Sequence, residues 1–424
     1  MIQPDFVFRG HQAAVNSVCF FGDDQLLVSG DQDGHLIVWN MMLKRQLAKA
    51  AGAHTAPILA VCGLGTDTVV SQGRDNRLCV WALDASEFSG ELRLTKTLAM
   101  DSMNFCKFSY ATLRGSPWIV FLVGAGAGEA GLFDVASGEQ HSLSIGHQSR
   151  TKAGSRDDSP MCIKLVASAS ADGVSQELEL FVGYESTMLQ QFSIDVSDTK
   201  VSAALRRSVT TAHSEPVMSL DYDSQRQLAY TCAADNKVCC YTADGSKFKE
   251  HVAAVELKNS GCSEIRCFPA LNLVAVASWD YATHLFTSDL EPTASIAFHR
   301  AALTSVDVST LSTAGADGIV DEYVRQRWSS RSRWMAVASR DSRISLWDID
   351  RIIADARLFH YGVDLVLIST ALAGIRRSTG LTPKLDDTNS TVQGVVKQYL
   401  DVGERVIDYA KPWLADSKLF KRQP

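Results

Sequence analysis

"GHQAAVNSVCFFGDDQLLVSGDQDGHLIVWN", residues 10–40, and "AHTAPILAVCGLGTDTVVSQGRDNRLCVWAL", residues 53–83, carry the same residue types in the same order. Each has a histidine, an apolar run, a Ser/Gly-rich run, an aspartate at a turn and a tryptophan. His11 precedes Trp39 by 28 residues and His54 precedes Trp81 by 27, while Asp33 and Asp75 both stand six before their tryptophan. The frame returns with His213, Asp235 and Tyr241 in residues 212–242 and with Asp280 and Phe286 in 271–286. It ends with His299, Asp341 and Trp347.

Self-similarity at a period of roughly 40–45 residues marks a stack of four-stranded antiparallel blades. The Val/Leu/Ile-rich runs suit strands buried between neighbouring blades, and the aspartate supports the turn that returns the chain. A single blade cannot cover both of its apolar faces, so blades stack around an axis until a ring closes. Five repeats are plain, and two degenerate ones fit residues 105–135 and 161–194. The expected fold is therefore all-β, a seven-bladed WD-repeat β-propeller over residues 1–350. The opening strand "FVFRG" (6–10) would complete the blade that ends at Trp347.

A competing reading comes from "PWIVFLVGAGAGEAGLFDV", residues 117–135, where Gly126-x-Gly128-x-x-Gly131 follows an apolar strand. A dinucleotide site needs a helix of several turns after the third glycine. Here "LFDVASGEQ" follows, a strand and a turn, so the glycines read as a turn inside the third blade and no cofactor is expected. The 41 basic and 48 acidic side chains give a net charge of −7 without a long basic run, which argues against direct nucleic-acid binding. Ten cysteines without a C-x-x-C pair read as reduced thiols of cytosol or nucleus. The start "MIQPDFVFRGHQ" does not read as a secretory signal.

The recurring His11, His54, His213 and His299 are expected to hydrogen-bond within their own blades, because the ring keeps them too far apart to share a metal. Asp33, Asp75, Asp235, Asp280 and Asp341 read as turn residues, and Trp39, Trp81, Tyr241, Phe286 and Trp347 as buried blade aromatics. No nucleophile elbow, Walker loop, H-E-x-x-H or EF-hand pattern is present, so no catalytic residue is assigned. Function is then expected on a surface. The residue before each turn aspartate would reach one face, and those positions hold Gln32, Arg74, Ala234, Trp279 and Arg340. Arg74, Trp279 and Arg340 are the candidate partner-binding residues, since Arg and Trp most often dominate interface energy.

Through "LLVSGDQDGHLIVW", "VVSQGRDNRLCVW", "LFVGYES", "EPVMSLDYDSQ", "AFHRAAL" and "RDSRISLWDID", residues 6–350 resemble the ASTRA-associated WD-repeat proteins of fungi and their animal relatives, the G-protein β-subunit-like proteins. The resemblance implies a non-catalytic subunit, in nucleus and cytoplasm, of a multi-protein assembly. That assembly serves the maturation of phosphatidylinositol-3-kinase-related kinases and chromatin regulation. An alternative is a reader of peptides or histone tails at the propeller face. Gγ binding is not implied.

Two stretches depart from the pattern. His299 lies 48 residues before Trp347, and the surplus, residues 310–332, reads either as a surface loop added to blade seven or as a stretch brought in by aberrant splicing. Residues 351–424 change character. Helices are expected over 356–377, ended by Arg376, Arg377 and Gly380, and over Thr391–Tyr409, with apolar residues at helical spacing. The apolar core Gly362–Ile375 is short for a membrane span and suits a docked or interfacial helix. This tail resembles a small fungal protein family of unknown function, and its presence suggests a fusion.

Overall fold

Four-residue to eleven-residue strands dominate the first part of the chain, and the second strand of most sets is nearly continuously buried. Leu26–Asp31 (LLVSGD), for example, has Leu26 as its one half-buried position. Such a strand is covered on both faces, which is why it does not alternate. Outer strands such as Arg45–Ala50 (RQLAKA) bury only their middle. The computed structural model describes residues 3–86, 89–100, 105–124, 128–151, 154–169, 176–197, 200–244, 247–309, 333–380 and 390–415. The chain divides into two units, Met1–Asp350 and Arg351–Pro424.

The first unit is a β-propeller of antiparallel four-stranded sheets, each named here by the first residue of its inner strand. Five are separate: the Val15, Ile58, Ser109, Cys262 and Leu303 sheets. Where two further separate blades were expected, the structure has one eight-stranded sheet. Its Pro160 and Val217 halves are each antiparallel, and they join through one parallel pair, Ser208↔Lys247. The outer strands of both halves, Lys200–Thr210 and Lys247–Glu256, are long enough to meet. A two-stranded hairpin, His147–Thr151 with Gly154–Asp158, precedes the Pro160 half.

Glu129–Asp134 is a strand paired with both of its neighbours, so the glycine-rich stretch opens no helix. A Cβ on Gly131 would stand 2.7 Å from the Phe121 ring, so the glycine admits a packed aromatic and no phosphate is needed to explain it. Gly126 lies outside the described residues, as does the 310–332 stretch.

Inner strands have a free edge toward the central channel, and their amides need acceptors. The preceding sheet supplies them. Ser17 Oγ accepts from Val61 N (3.1 Å), Gln72 Oε1 from Phe108 N (2.7 Å), and Ser109 Oγ from Leu165 N (2.9 Å). Ser219 Oγ accepts from Ile265 N (3.2 Å) and Asp221 from Cys267 N (2.9 Å). Glu264 accepts from Val306 N (3.3 Å), and Ser305 and Asp307 accept from Val18 N (3.2 Å) and Phe20 N (2.8 Å). That last step carries the series from the final sheet back to the first.

The amino-terminal strand Phe6–Arg9 closes the ring, paired antiparallel with Arg343–Asp348 in the register Phe8↔Ile344. Phe8 is 2 % exposed and packs on Trp39 with ring centroids 5.0 Å apart. Lys44 of the first sheet reaches between Phe6 and Trp334, 5.4 and 5.1 Å from their ring centres. Trp334 begins the strand that follows the undescribed 310–332 stretch.

The second unit holds two helices. α1 (Ile349–Thr379) starts seven residues earlier than the sequence suggested, because no breaker separates it from the last strand and Asp350 sits in its first turn. Gly380, at φ +75°, ends it, and its amide bonds to Arg376 O. α2 (Ser390–Ala415) crosses α1 at small residues, where Gly403 N donates to Ser369 Oγ (2.9 Å). Arg377 pairs with Glu404 and Asp408. Among the described residues no helix is long and apolar enough to cross a membrane.

Phe8→Ala is expected to destabilise the first unit by about 3–5 kcal/mol, the cost of a truncated buried aromatic at the seam. Urea unfolding followed by tryptophan fluorescence measures it, and Phe6→Ala, at a half-buried position, should cost clearly less.

Candidate interaction face

Three of the sheets contain a directional hydrogen-bond chain that starts at the aromatic predicted from the spacing, and a fourth keeps its hydroxyl–His–Asp part. Trp39 Nε1 can only donate, and it donates to Ser29 Oγ (2.8 Å). The serine hydroxyl then turns to His11 Nε2 (2.7 Å), which leaves Nδ1 to donate to Asp31 (2.7 Å). Trp81, Ser71, His54 and Asp75 repeat this at 2.9, 2.8 and 2.9 Å. In the Val217 half His213 lies between Thr231 (2.9 Å) and Asp235 (3.1 Å), while the Tyr241 hydroxyl accepts from Ala212 N. In the last sheet Trp347, Ser345, His299 and Asp341 form the chain at 2.7, 2.8 and 3.0 Å.

One correction and one variation follow. The carboxylate of the first repeat is Asp31, not Asp33. Asp31 also accepts from the amides of Asp33 and His35, and Asp33 is exposed. In the last sheet the hydroxyl comes from the neighbouring strand. Ser345 faces Val337 across the ladder, whereas Ser29 faces Ile37 from the other side. The Cys262 sheet places His284 at that strand position, bonded to Asp280 (3.1 Å) and Ser295 (3.2 Å) beside buried Phe286.

Burial opposes the charge of the Asp75 carboxyl, but hydrogen bonds from Arg77, His54 and the Thr55 amide outweigh it and hold the group at about 2. Burial dominates at His54 and His213 and pulls both imidazoles below their ordinary 6.5. These are neutral rings beside ionised acids, with both ring nitrogens engaged. Among the described residues no cluster of three or more His, Cys, Asp or Glu is arranged to hold a metal.

The turns that these aspartates brace lie at the end of each sheet where the inner strand begins, so Gln32, Arg74, Ala234, Trp279 and Arg340 share one face. Gln32 there accepts from Asn16 (3.2 Å) and Ala234 is half-buried. Arg74 is exposed and lies over the Phe105 ring at 4.3 Å, and Arg340 is exposed. Trp279 is 40 % exposed, donates Nε1 to Ser263 Oγ (2.8 Å) and covers Gly261, where a Cβ would meet the indole at 2.0 Å. Arg74, Trp279 and Arg340 thus sit at equivalent turns of three different sheets.

The sequence reading missed what stands between them. The channel mouth is a cup of about 340 Å³ lined by Phe105, Met161, Met218 and Cys62, and Tyr110 lines both this cup and the pockets beyond it. Lys107 reaches across the mouth to Glu264 (3.4 Å). Deeper in, Lys164 pairs with Asp221 (2.6 Å) and Arg266 with Asp307 (3.1 Å). Burial works against both charges of the Arg266 pair. Asp307, Asp221 and Glu264 still hold the guanidinium firmly protonated, while Asp307 remains above the usual carboxylate range. Phe105 precedes the inner strand of a repeat that lacks the histidine, so no frame drew attention to it.

The family model of the WD domain, G-beta repeat, matches residues 2–40, 206–242 and 323–348, and the mitofissin model matches 356–422. Mitofissin of Saccharomyces cerevisiae is 48 % identical over 68 residues, which span 93 % of that protein and 16 % of this chain. This is a WD40-repeat protein with a mitofissin-family tail. The WD40 matches fall on sheets that carry the His–hydroxyl–Asp chain. Along the propeller, the mouse guanine nucleotide-binding protein subunit beta-like protein 1 is 28 % identical over 82 % of this chain and 96 % of its own length. ASTRA-associated protein 1 of Verticillium alfalfae is 26 % identical over 82 % and 92 %. Stretches similar to nearly the whole length of two separate proteins therefore follow one another in this chain.

The unfolded chain protonates its histidines near 6.5, but folded His54 and His213 do so only at lower pH. Stability is thus full above 6.5 and declines as pH falls, and Asp75 adds a second loss between 3.8 and about 2. Thermal melting from about pH 8 to about pH 4 should be flat at first and then fall. Ser71→Ala, which strips partners from His54 and Trp81, should cost about 2 kcal/mol or more in chemical denaturation at neutral pH.

Proposed function

We propose that this chain is a non-catalytic scaffold subunit of an ASTRA-like complex that acts in the maturation of phosphatidylinositol-3-kinase-related kinases and in chromatin regulation, in nucleus and cytoplasm. The observation that carries the reading is the extent of the likeness: ASTRA-associated proteins align over 82 % of this chain and over 92–98 % of their own length for the fungal relatives from Verticillium, Aspergillus flavus and Schizosaccharomyces japonicus. The eight-stranded sheet counts as two blades in this reading, joined by one residue pair, which makes seven. Exposed Arg74, Trp279 and Arg340 on one face supply side chains of the kind that anchor protein partners. Histidines and aspartates that in an enzyme could move protons are used up in bracing turns.

A second reading, a module that reads peptides or histone tails, is favoured by the cup at the channel mouth beside Phe105 and Trp279. The two readings differ in what stays bound.

Affinity purification of the tagged full-length protein, followed by mass spectrometry, is expected to recover large helical-repeat subunits together with the kinases. Their absence at adequate expression would count decisively against the scaffold. Neither NAD nor ATP should shift the melting temperature, and a shift of several degrees would reopen a nucleotide site.

A further inference from the structure

We propose that the face around the channel mouth binds an extended acidic peptide segment that seats one apolar side chain in the cup lined by Phe105, Met161 and Met218, with Trp279 anchored on its rim residue Ser263. The inference rests on the reading of this chain as a protein-binding subunit and names the chemistry of the partner.

The apolar part of the argument is preorganisation. Phe105 is 56 % exposed yet held under the Arg74 guanidinium, and Trp279 is 40 % exposed yet fixed by its bond to Ser263 and its seat on Gly261. Their sheets, Ser109 and Cys262, are bridged over the mouth by Lys107 and Glu264; Phe105 lines the cup itself, and Trp279 reaches it through Ser263, which also lines it. Large aromatics already locked in place lose little freedom on binding, which is what makes such side chains effective anchors. A cup of about 340 Å³ with methionine and cysteine in its lining has room for one or two side chains and not for a folded element.

The charged part is an imbalance within the same face. Lys258, Arg300 and Arg340 lie in the connections and turn of the Cys262 and Leu303 sheets, Arg74 lies in the Ile58 sheet, and all four are exposed. None of these four makes an ion pair among the described residues, unlike Lys107, Lys164 and Arg266. Exposed acids of this face, Glu129, Glu185, Glu215 and Glu256, fall on the Ser109 sheet and the Pro160 and Val217 halves, and Asp33 stands alone between the basic sheets. A segment rich in Glu and Asp would meet four uncompensated cations on one arc and be repelled by the other. That fixes where it lies. A basic tail would meet the reverse, so a histone-type peptide is disfavoured at this place.

Fluorescence anisotropy with the full-length protein tests the idea. The probe is a labelled peptide of glutamates and aspartates with a central leucine. Controls replace the leucine by serine, or every acid by lysine. The acidic leucine peptide should bind, weaken as salt rises, and lose about tenfold in affinity with Trp279→Ala and again with the Arg300→Glu/Arg340→Glu pair. Glu215→Lys should leave binding equal or tighter, and melting curves should show all variants folded.

Binding of the lysine peptide in preference, equal binding of the serine control, no binding at all, or equal competition by single-stranded DNA would each overturn the proposal. Recovery of the assembly subunits by a protein that ignores the peptide would sink this inference alone. Failure to recover them while the peptide binds would sink only the scaffold.

Discussion

An inner propeller strand presents amides to a channel where no further strand can pair with them, and the remainder of this architecture depends on how they are satisfied. Apolar contact between sheets is strong but has no preferred rotation. A serine hydroxyl or carboxylate aimed at one particular amide of the next sheet does have one. Ser17, Ser109, Ser219 and Ser305 perform this task at corresponding places, with Glu264 and Asp307 extending it. Each bond is worth only about 1 kcal/mol net, yet a buried amide left without it costs more. The stitching therefore decides angle and register while the clusters between the sheets supply most of the cohesion.

Charged residues enter the channel by the same route. Asp221 and Asp307 are amide acceptors first, and having been placed there they require Lys164 and Arg266 to neutralise them. Such a network adds little net stability compared with an apolar core, but it punishes the loss of any single member. Cys19, Tyr110 and Phe268 line the same pocket as these pairs, so charged and apolar groups alternate around one narrow passage.

What the amino-acid sequence revealed was whatever repeats at short range. The His-to-Trp spacing picked out His11 and Trp39, the two ends joined through Ser29, which it did not assign, and the opening strand was expected to complete the blade that ends at Trp347. Gly131 was legible because a strand pattern follows it. Asp31 was misplaced because the first turn holds two aspartates and counting back from Trp39 selects the wrong one. Gly34, at φ +79°, lets the turn begin one step sooner. The Lys107–Glu264 and Arg266–Asp307 pairs were invisible, since their members are 157 and 41 residues apart and belong to different repeats. The join of the two halves at Ser208 and Lys247 depends on the length of outer strands, which composition does not disclose.

The amino-terminal strand that completes the last sheet has a kinetic meaning. Phe8 finds Ile344 across nearly the whole first unit, so a segment that leaves the ribosome at the outset has nothing to pair with until everything else has been made. Loop closure over such a distance comes late and slowly. Until then the molecule carries an unfinished edge at Arg343–Asp348 and an uncovered Trp39. Afterwards the same contact works as a clasp, because no sheet can leave the circle without first releasing the two ends that met last.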